Sequence, residues 1–384
     1  MRKLDLEDLF RKQMTRKEFF VYSGLIIASM FSIIGVMTEL LSKASGPYTS
    51  AEAESGKLTG SATSVAKTGT SGGKEVQFGA TTNSASAKVY MGGWANEDVP
   101  TTEAFVNSFG ANPAKSVMMS FPYGATWSNV QQSCVGIASN LGGWPGLRMI
   151  AIPMQTTGSP GKYTDVTSGA NDAVFIAAAN ACVANGVTLI RLGWELQNNP
   201  SNNMPAPVPA TLWKQCFQHI VTVMRKAQPN GGFKFIFNPN DGTNGGNSPD
   251  WMSVYPGKSY VDIVAVDAYD NNSGWAGAYS GATPNLQDIS SLAATDGLDL
   301  SLPEWSLINT SDSYASGDDP TFVNNIMGWA HTQQQTGKNI YLVSWGDGYP
   351  DPKAGTWGLQ CSPKALAALK AQVSAGIAGG WINN

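Results

Sequence analysis

Val187-Thr-Leu-Ile-Arg-Leu-Gly-Trp-Glu195 is a short apolar run with one arginine at its centre and one glutamate at its end. A run this short, apolar on both faces, reads as a strand of a parallel sheet covered on both sides. Seven more runs share the pattern: Lys88–Trp94, Ser116–Tyr123, Arg148–Met154, Phe233–Asn240, Val261–Tyr269, Leu300–Trp305 and Ile340–Trp345. Their starts lie roughly 30 to 45 residues apart, which leaves room for a crossover helix each time. Helical spacing is clearest in Thr211–Lys226, where Leu212, Trp213, Cys216, Phe217, Ile220, Val221 and Met224 share one stripe. Asp172–Asn185 and Pro363–Gly376 read similarly, with Ser362-Pro363 as cap and first turn. Eight strand–helix units predict the α/β class and a closed (β/α)8 TIM barrel over 85–384.

In such a barrel the chemistry sits where the strands end. Polar residues collect at those ends here: Glu195-Leu-Gln197-Asn198, Asn238-Pro-Asn240-Asp241, Asp267-Ala-Tyr269, Glu304 and Trp345. Two of these residues are glutamates set among large apolar side chains, Glu195 between Trp194 and Leu196, and Glu304 between Pro303 and Trp305. Two carboxyl groups facing one sugar are what retaining glycoside hydrolysis requires. Along the fourth run Arg191, Gly193 and Glu195 alternate onto one face, so Arg191 is expected a layer below Glu195, where a guanidinium needs an anionic partner. Pro303 has no N–H for the ladder and is expected to end the pairing of its strand, placing Glu304 at the rim.

These segments resemble the retaining glycosidases of clan A, in which one glutamate ends strand four and another ends strand seven. Leu189-Ile-Arg-Leu-Gly-Trp-Glu195, Val261-Asp-Ile-Val-Ala-Val-Asp-Ala-Tyr269 and Leu302-Pro-Glu304-Trp305-Ser306 are similar to glycoside hydrolase family 26, a family mainly of β-mannanases. The resemblance implies Glu195 as acid/base and Glu304 as nucleophile. It implies a tyrosine, Tyr269, bonded to the nucleophile, and an aromatic, Trp345, flooring the cleavage subsite. Trp194, Arg191, Asn238 and Trp305 complete the expected substrate-binding set. The family usually has His before its acid/base where this chain has Trp194, so the expected substrate is a β-linked glycan in general: β-mannan, β-glucan or β-xylan. Endo action, a monomer and no cofactor or metal are expected.

Composition agrees with a neutral, hydroxyl-rich partner. Only 14% of the 384 residues are charged, against a usual ~25%. There are 12 Trp and 12 Tyr, and aromatic faces suit stacking on sugars. A net charge of −4 without a basic run in the body of the chain leaves no footprint for nucleic acid. The two histidines, His219 and His331, fall in helix-like stretches, which disfavours a metal-dependent barrel hydrolase. A non-catalytic, surface-anchored glycan-binding barrel is the alternative from another class. Cys134, Cys182, Cys216 and Cys361 have no metal or redox spacing, and their pairing is open.

Residues 1–18 carry Arg2, Lys3, Arg11, Lys12, Arg16 and Lys17, and 19–41 are apolar apart from Glu39. This predicts a cytoplasmic basic segment and a signal anchor or signal peptide, with the rest of the chain outside the membrane, anchored or secreted. Thr15-Arg-Lys-Glu-Phe-Phe20 also resembles a twin-arginine export motif, with Lys17 replacing the second arginine. Residues 42–84, rich in Gly, Ser, Thr and Ala, read as a linker. Part of it, between Ala51 and Gly79, resembles the opening strands of a carbohydrate-binding module.

Overall fold

The computed structural model describes residues 62–66, 74–78, 87–159, 162–195, 209–240, 250–271, 273–308, 316–351 and 358–384. The expected anchor over 19–41 lies outside these residues. Among the described residues no helix is long and apolar enough to cross a membrane. The chain divides after Ser84. In its first part Ala62–Ala66 pairs antiparallel with Lys74–Phe78.

The second part is a closed parallel barrel. Its strands are β1 (Val89–Trp94), β2 (Val117–Ser120), β3 (Leu147–Ile152), β4 (Leu189–Leu192), β5 (Lys234–Phe237), β6 (Ile263–Ala265, continued by Ala268–Asp270), β7 (Asp299–Leu307) and β8 (Ile340–Trp345). Each pairs with the next, and β8 pairs with β1 and β7 to close the ring. The crossover helices are α1 (Val99–Ser108), α2 (Trp127–Leu141), α3 (Asp172–Ala184), α4 (Ala210–Ala227), α5 (Trp251–Val254), α6 (Leu286–Asp296), α7 (Pro320–Gln335) and α8 (Pro363–Ala378).

Side chains separate into two apolar layers because strand residues alternate faces. One layer fills the lumen with Met119, Met149, Ala151, Leu189, Ile236 and Val343. The other lies between strands and helices, where α4 buries Trp213, Cys216, Phe217, Ile220, Val221 and Met224. Burying a side chain of this size contributes about 1.5–3 kcal/mol, which is why the apolar stripe fixes α4's orientation. Local signals set the helix ends. Thr126 accepts from Asn129 N–H at the start of α2. Asn285 and Asp288 form a reciprocal capping box on α6, which ends at Gly297 with φ +77°.

Three details differ from expectation. Pro303 does not end β7. Pairing with β8 runs through Leu302, shifts register, and resumes at Trp305 opposite Ser344. The ladder tolerates the missing N–H by bulging around it, so Glu304 sits inside the strand rather than at its rim. β6 is broken at Val266-Asp267, and β7 pairs with each half separately. The fifth crossover holds, among the described residues, only the single-turn α5. All four cysteines are free thiols, and burial pushes Cys134, Cys182 and Cys216 up, Cys182 to about 12.

Candidate active site

The chain leaves strand geometry immediately after β4. Gly193 has φ +57° and Glu195 φ +49°. A Cβ on Gly193 would stand 2.8 Å from Met154 Cγ, so glycine is required there for space as well as conformation. Glu195 is held in its left-handed conformation by its N–H, which donates to Asn238 O at 2.8 Å. Such backbone costs about 1–2 kcal/mol for a residue with a Cβ, and it persists at sites whose surroundings over-determine it. We expect Gly193→Ala to lower stability by about 2 kcal/mol and kcat by tenfold or more, because it displaces the adjoining carboxyl. Denaturant titration and steady-state kinetics check this, and wild-type values in both would contradict it.

Arg191, on β4 itself, is wholly buried and holds the site together. Its Nη1 donates to Glu304 Oε1 and its Nη2 to Asp267 Oδ2, each at 2.5 Å. Its Nε donates to Asn238 Oδ1, also at 2.5 Å. Burial opposes its charge, but Asp267, Glu304 and Glu195 more than offset that and hold the guanidinium charged. The second oxygen of Glu304 accepts from the Tyr269 hydroxyl at 2.8 Å. Burial, followed by the charges of Glu304, Asp267 and Glu195, pushes the Tyr269 phenol well up, so Tyr269 remains a donor. Two directed donors fix the orientation of this one carboxylate, and a carboxylate held in place is what attack on carbon needs.

Carboxylate oxygens of Glu195, Asp267 and Glu304 all lie within 4.8 Å of one another. The guanidinium of Arg191 already supplies a cation to two of the three. Burial raises the Asp267 carboxyl well above the ordinary range; Arg191 opposes this, while Glu304 and Glu195 add to it. The facing Asp267–Glu195 pair therefore retains a proton at a pH where isolated carboxyls have lost theirs. A retained proton beside an ionised neighbour is what general acid catalysis needs. Asp267→Asn removes one of the two carboxyls that share this proton. The alkaline limb of the kcat/KM profile should consequently move down by about one pH unit. A limb that stays in place would contradict the pairing.

The mouth above the carboxyls is aromatic. Trp345 stacks on Trp94, its neighbour across the β8–β1 ladder, with ring centroids 3.9 Å apart and planes at 13°. Phe121 abuts both rings, and Tyr123, 47% exposed, stands next to it. The positive φ at Gly193 breaks strand alternation and turns Trp194 into the lumen. There Trp194 is 3% exposed, 5.5 Å from Phe121, with Arg191 over its ring at 5.7 Å.

Glu195, Glu304, Arg191, Tyr269, Asn238, Trp194 and Trp345 are thus brought together at one end of the barrel. Trp305 is not. It is 0% exposed and belongs to the apolar layer between strands and helices, because Glu304 takes the inward position and its neighbour must face outward. Arg191 and Asn238, expected to touch substrate, are 0% and 1% exposed and spend their polar atoms on Glu304, Asp267 and the backbone. They position the carboxyls instead. The sequence placed Asp267 among the polar strand ends without giving it a role, and it gave none to Trp94 or Tyr123. The signal for Asp267 was present: of the two carboxylates in the run Val261–Tyr269 it is the one two residues before Tyr269 and hence on its face.

Comparison with known proteins agrees with the barrel fold. Residues 206–345 match the family model for glycosyl hydrolase family 26. A mannan endo-1,4-beta-mannosidase of Bifidobacterium adolescentis is 24% identical over 115 residues, which is 29% of this chain and 11% of that protein. The match therefore spans about a tenth of that relative's length. Among solved structures, the catalytic domain of a family 26 endo-beta-1,4-mannanase from a Bacillus species superposes with a TM-score of 0.50 and 16% identity, covering 76% of this chain and 86% of that one. A modular endo-beta-1,4-mannanase from Cellulomonas fimi gives 0.51 and 16%, covering 74% and 70%. At such identities the superpositions show a shared barrel fold.

Proposed function

From a chain that is most similar to glycosyl hydrolase family 26, we propose a retaining, endo-acting glycoside hydrolase of β-linked polysaccharide. The observation that carries this reading is the closeness of the Glu195 and Glu304 carboxyls, one just past β4 and the other within β7. Retaining enzymes place this pair about 5–5.5 Å apart, whereas inverting enzymes need roughly 6.5–9.5 Å to admit a water.

Glu304, held by Arg191 and Tyr269, attacks the anomeric carbon from below. Glu195 passes its proton to the glycosidic oxygen, and the C–O bond breaks to release the leaving sugar. The covalent glycosyl ester on Glu304 is then opened by water, whose proton returns to Glu195. Trp345, backed by Trp94, offers a flat apolar floor to the sugar ring during both steps. The named activities of the relatives make β-1,4-mannan the first substrate to try, with β-glucan and β-xylan next. The basic N-terminus followed by the apolar run 19–41 supports action outside the cytoplasmic membrane.

The test is incubation of the purified protein with β-mannan, mixed-linkage β-glucan and β-xylan, with proton NMR of the first products. Shorter oligosaccharides released as the β-anomer are expected. No cleavage of any of the three, or initial release of the α-anomer, would overturn the proposal.

A further inference from the structure

On the outer flank of the barrel, α4 turns a polar face away from the core. Gln215, Gln218, His219 and Thr222 recur along it at helical spacing and, with Thr167 and Tyr260, line an open pocket of about 350 Å³. This is within the size range of small-ligand sites. The pocket opens on the outward face of α4, whose opposite face packs on the barrel, and none of its lining residues belongs to the carboxylate cluster, so it is separate from the active site.

Two of its walls are fixed by hydrogen bonds. His219 Nε2 is 2.7 Å from Asp172 Oδ1 at the start of α3. Gln218 Nε2 donates to Pro256 O at 2.9 Å, which ties α4 to the segment carrying Tyr260. The lining chemistry is narrow. It comprises two amides, two threonine hydroxyls, a phenol ring and an imidazole bonded to a carboxylate, with no lysine, arginine or aliphatic side chain. Phosphate or another anion would find no lysine or arginine in this set, and a wholly apolar ligand would leave its amides and hydroxyls unpaired. Amides and hydroxyls around one aromatic ring suit a neutral polyol, whose hydroxyls both donate and accept while its C–H face lies on the ring.

We propose that this pocket is a second glycan-binding site, which holds a sugar unit of the polysaccharide while another part of the chain is cut. The proposal rests on the hydrolase reading only for the identity of the polymer. Binding is measured to insoluble β-1,4-mannan in a Glu304→Gln background, with Tyr260→Ala or Thr222→Arg added. Tyr260→Ala removes the ring, and Thr222→Arg fills the pocket from an exposed helix position that tolerates a long side chain. Each should weaken polymer binding about fivefold or more, the scale of one or two lost hydrogen bonds. With Glu304 intact, both variants should keep the wild-type kcat/KM on mannohexaose. Binding to the polymer unchanged by either variant would overturn the site, as would absence of binding in the parent. Pocket-dependent binding by a protein that cleaves no glycan would sink the hydrolase reading and leave this site standing. Cleavage with pocket-independent binding would do the reverse.

Discussion

Glu304→Ala should lower kcat by about 10⁴-fold or more, the scale seen when a nucleophile acting in concert with its partners is removed. Added azide should restore part of the lost turnover. The reasoning is geometric. Truncation opens a small space on the face of the sugar opposite the leaving group, while Glu195 remains able to protonate that group. Azide in this space attacks directly and yields the α-glycosyl azide. Glu195→Ala differs in kind. With an activated leaving group the glycosyl ester on Glu304 still forms, azide opens it from the other face, and the product is the β-glycosyl azide. The pair of configurations, read by NMR, assigns the two roles independently of any rate. Wild-type turnover in Glu304→Ala, or the same azide configuration from both variants, would contradict the assignment.

The second large effect is expected on stability. Arg191 is the cation in contact with Asp267 and Glu304, and its side chain is fully buried. Arg191→Ala strands two carboxylates, Asp267 wholly buried and Glu304 nearly so, beside Met119, Phe121 and Trp194. Breaking a buried ion pair from one side costs about 3–5 kcal/mol, mostly through the uncompensated charge left behind. Arg191→Lys should recover little, since an ammonium cannot present three N–H vectors to Glu304, Asp267 and Asn238 at once. Asp267→Asn in the Arg191→Ala background should restore part of the loss by removing one stranded charge. Chemical denaturation of the three variants measures this. A loss below 1 kcal/mol in Arg191→Ala would show that the cluster is not held by this guanidinium.

The barrel was legible because each strand is buried on both faces and therefore reads as an uninterrupted apolar run. Each of the eight runs overlaps a strand of the ring, and the α4 stripe is buried as its spacing implies. The glutamates were legible because carboxylates are conspicuous among tryptophans. Alternation failed where the backbone stops being a strand. The positive φ values at Gly193 and Glu195 turn Trp194 inward, and the bulge at Pro303 carries Glu304 into the lumen while Trp305 faces the helices. The role of Arg191 and Asn238 as supports was hidden for another reason. A polar residue on an inward face looks the same in sequence whether it touches substrate or holds the groups that do. The break in β6 beside Asp267 and the single-turn α5 leave no compositional trace, since both depend on how neighbouring segments pack.

Retention by way of Glu304 is tested most directly by trapping. A 2-deoxy-2-fluoro β-glycoside with an activated leaving group, matched to the preferred sugar, slows hydrolysis of the glycosyl ester more than its formation. Peptide mass spectrometry should then find one added glycosyl unit on the peptide containing Glu304 and none on that containing Glu195. A label on any other residue, or an active enzyme that turns over without acquiring one and releases the α-anomer, would contradict the mechanism.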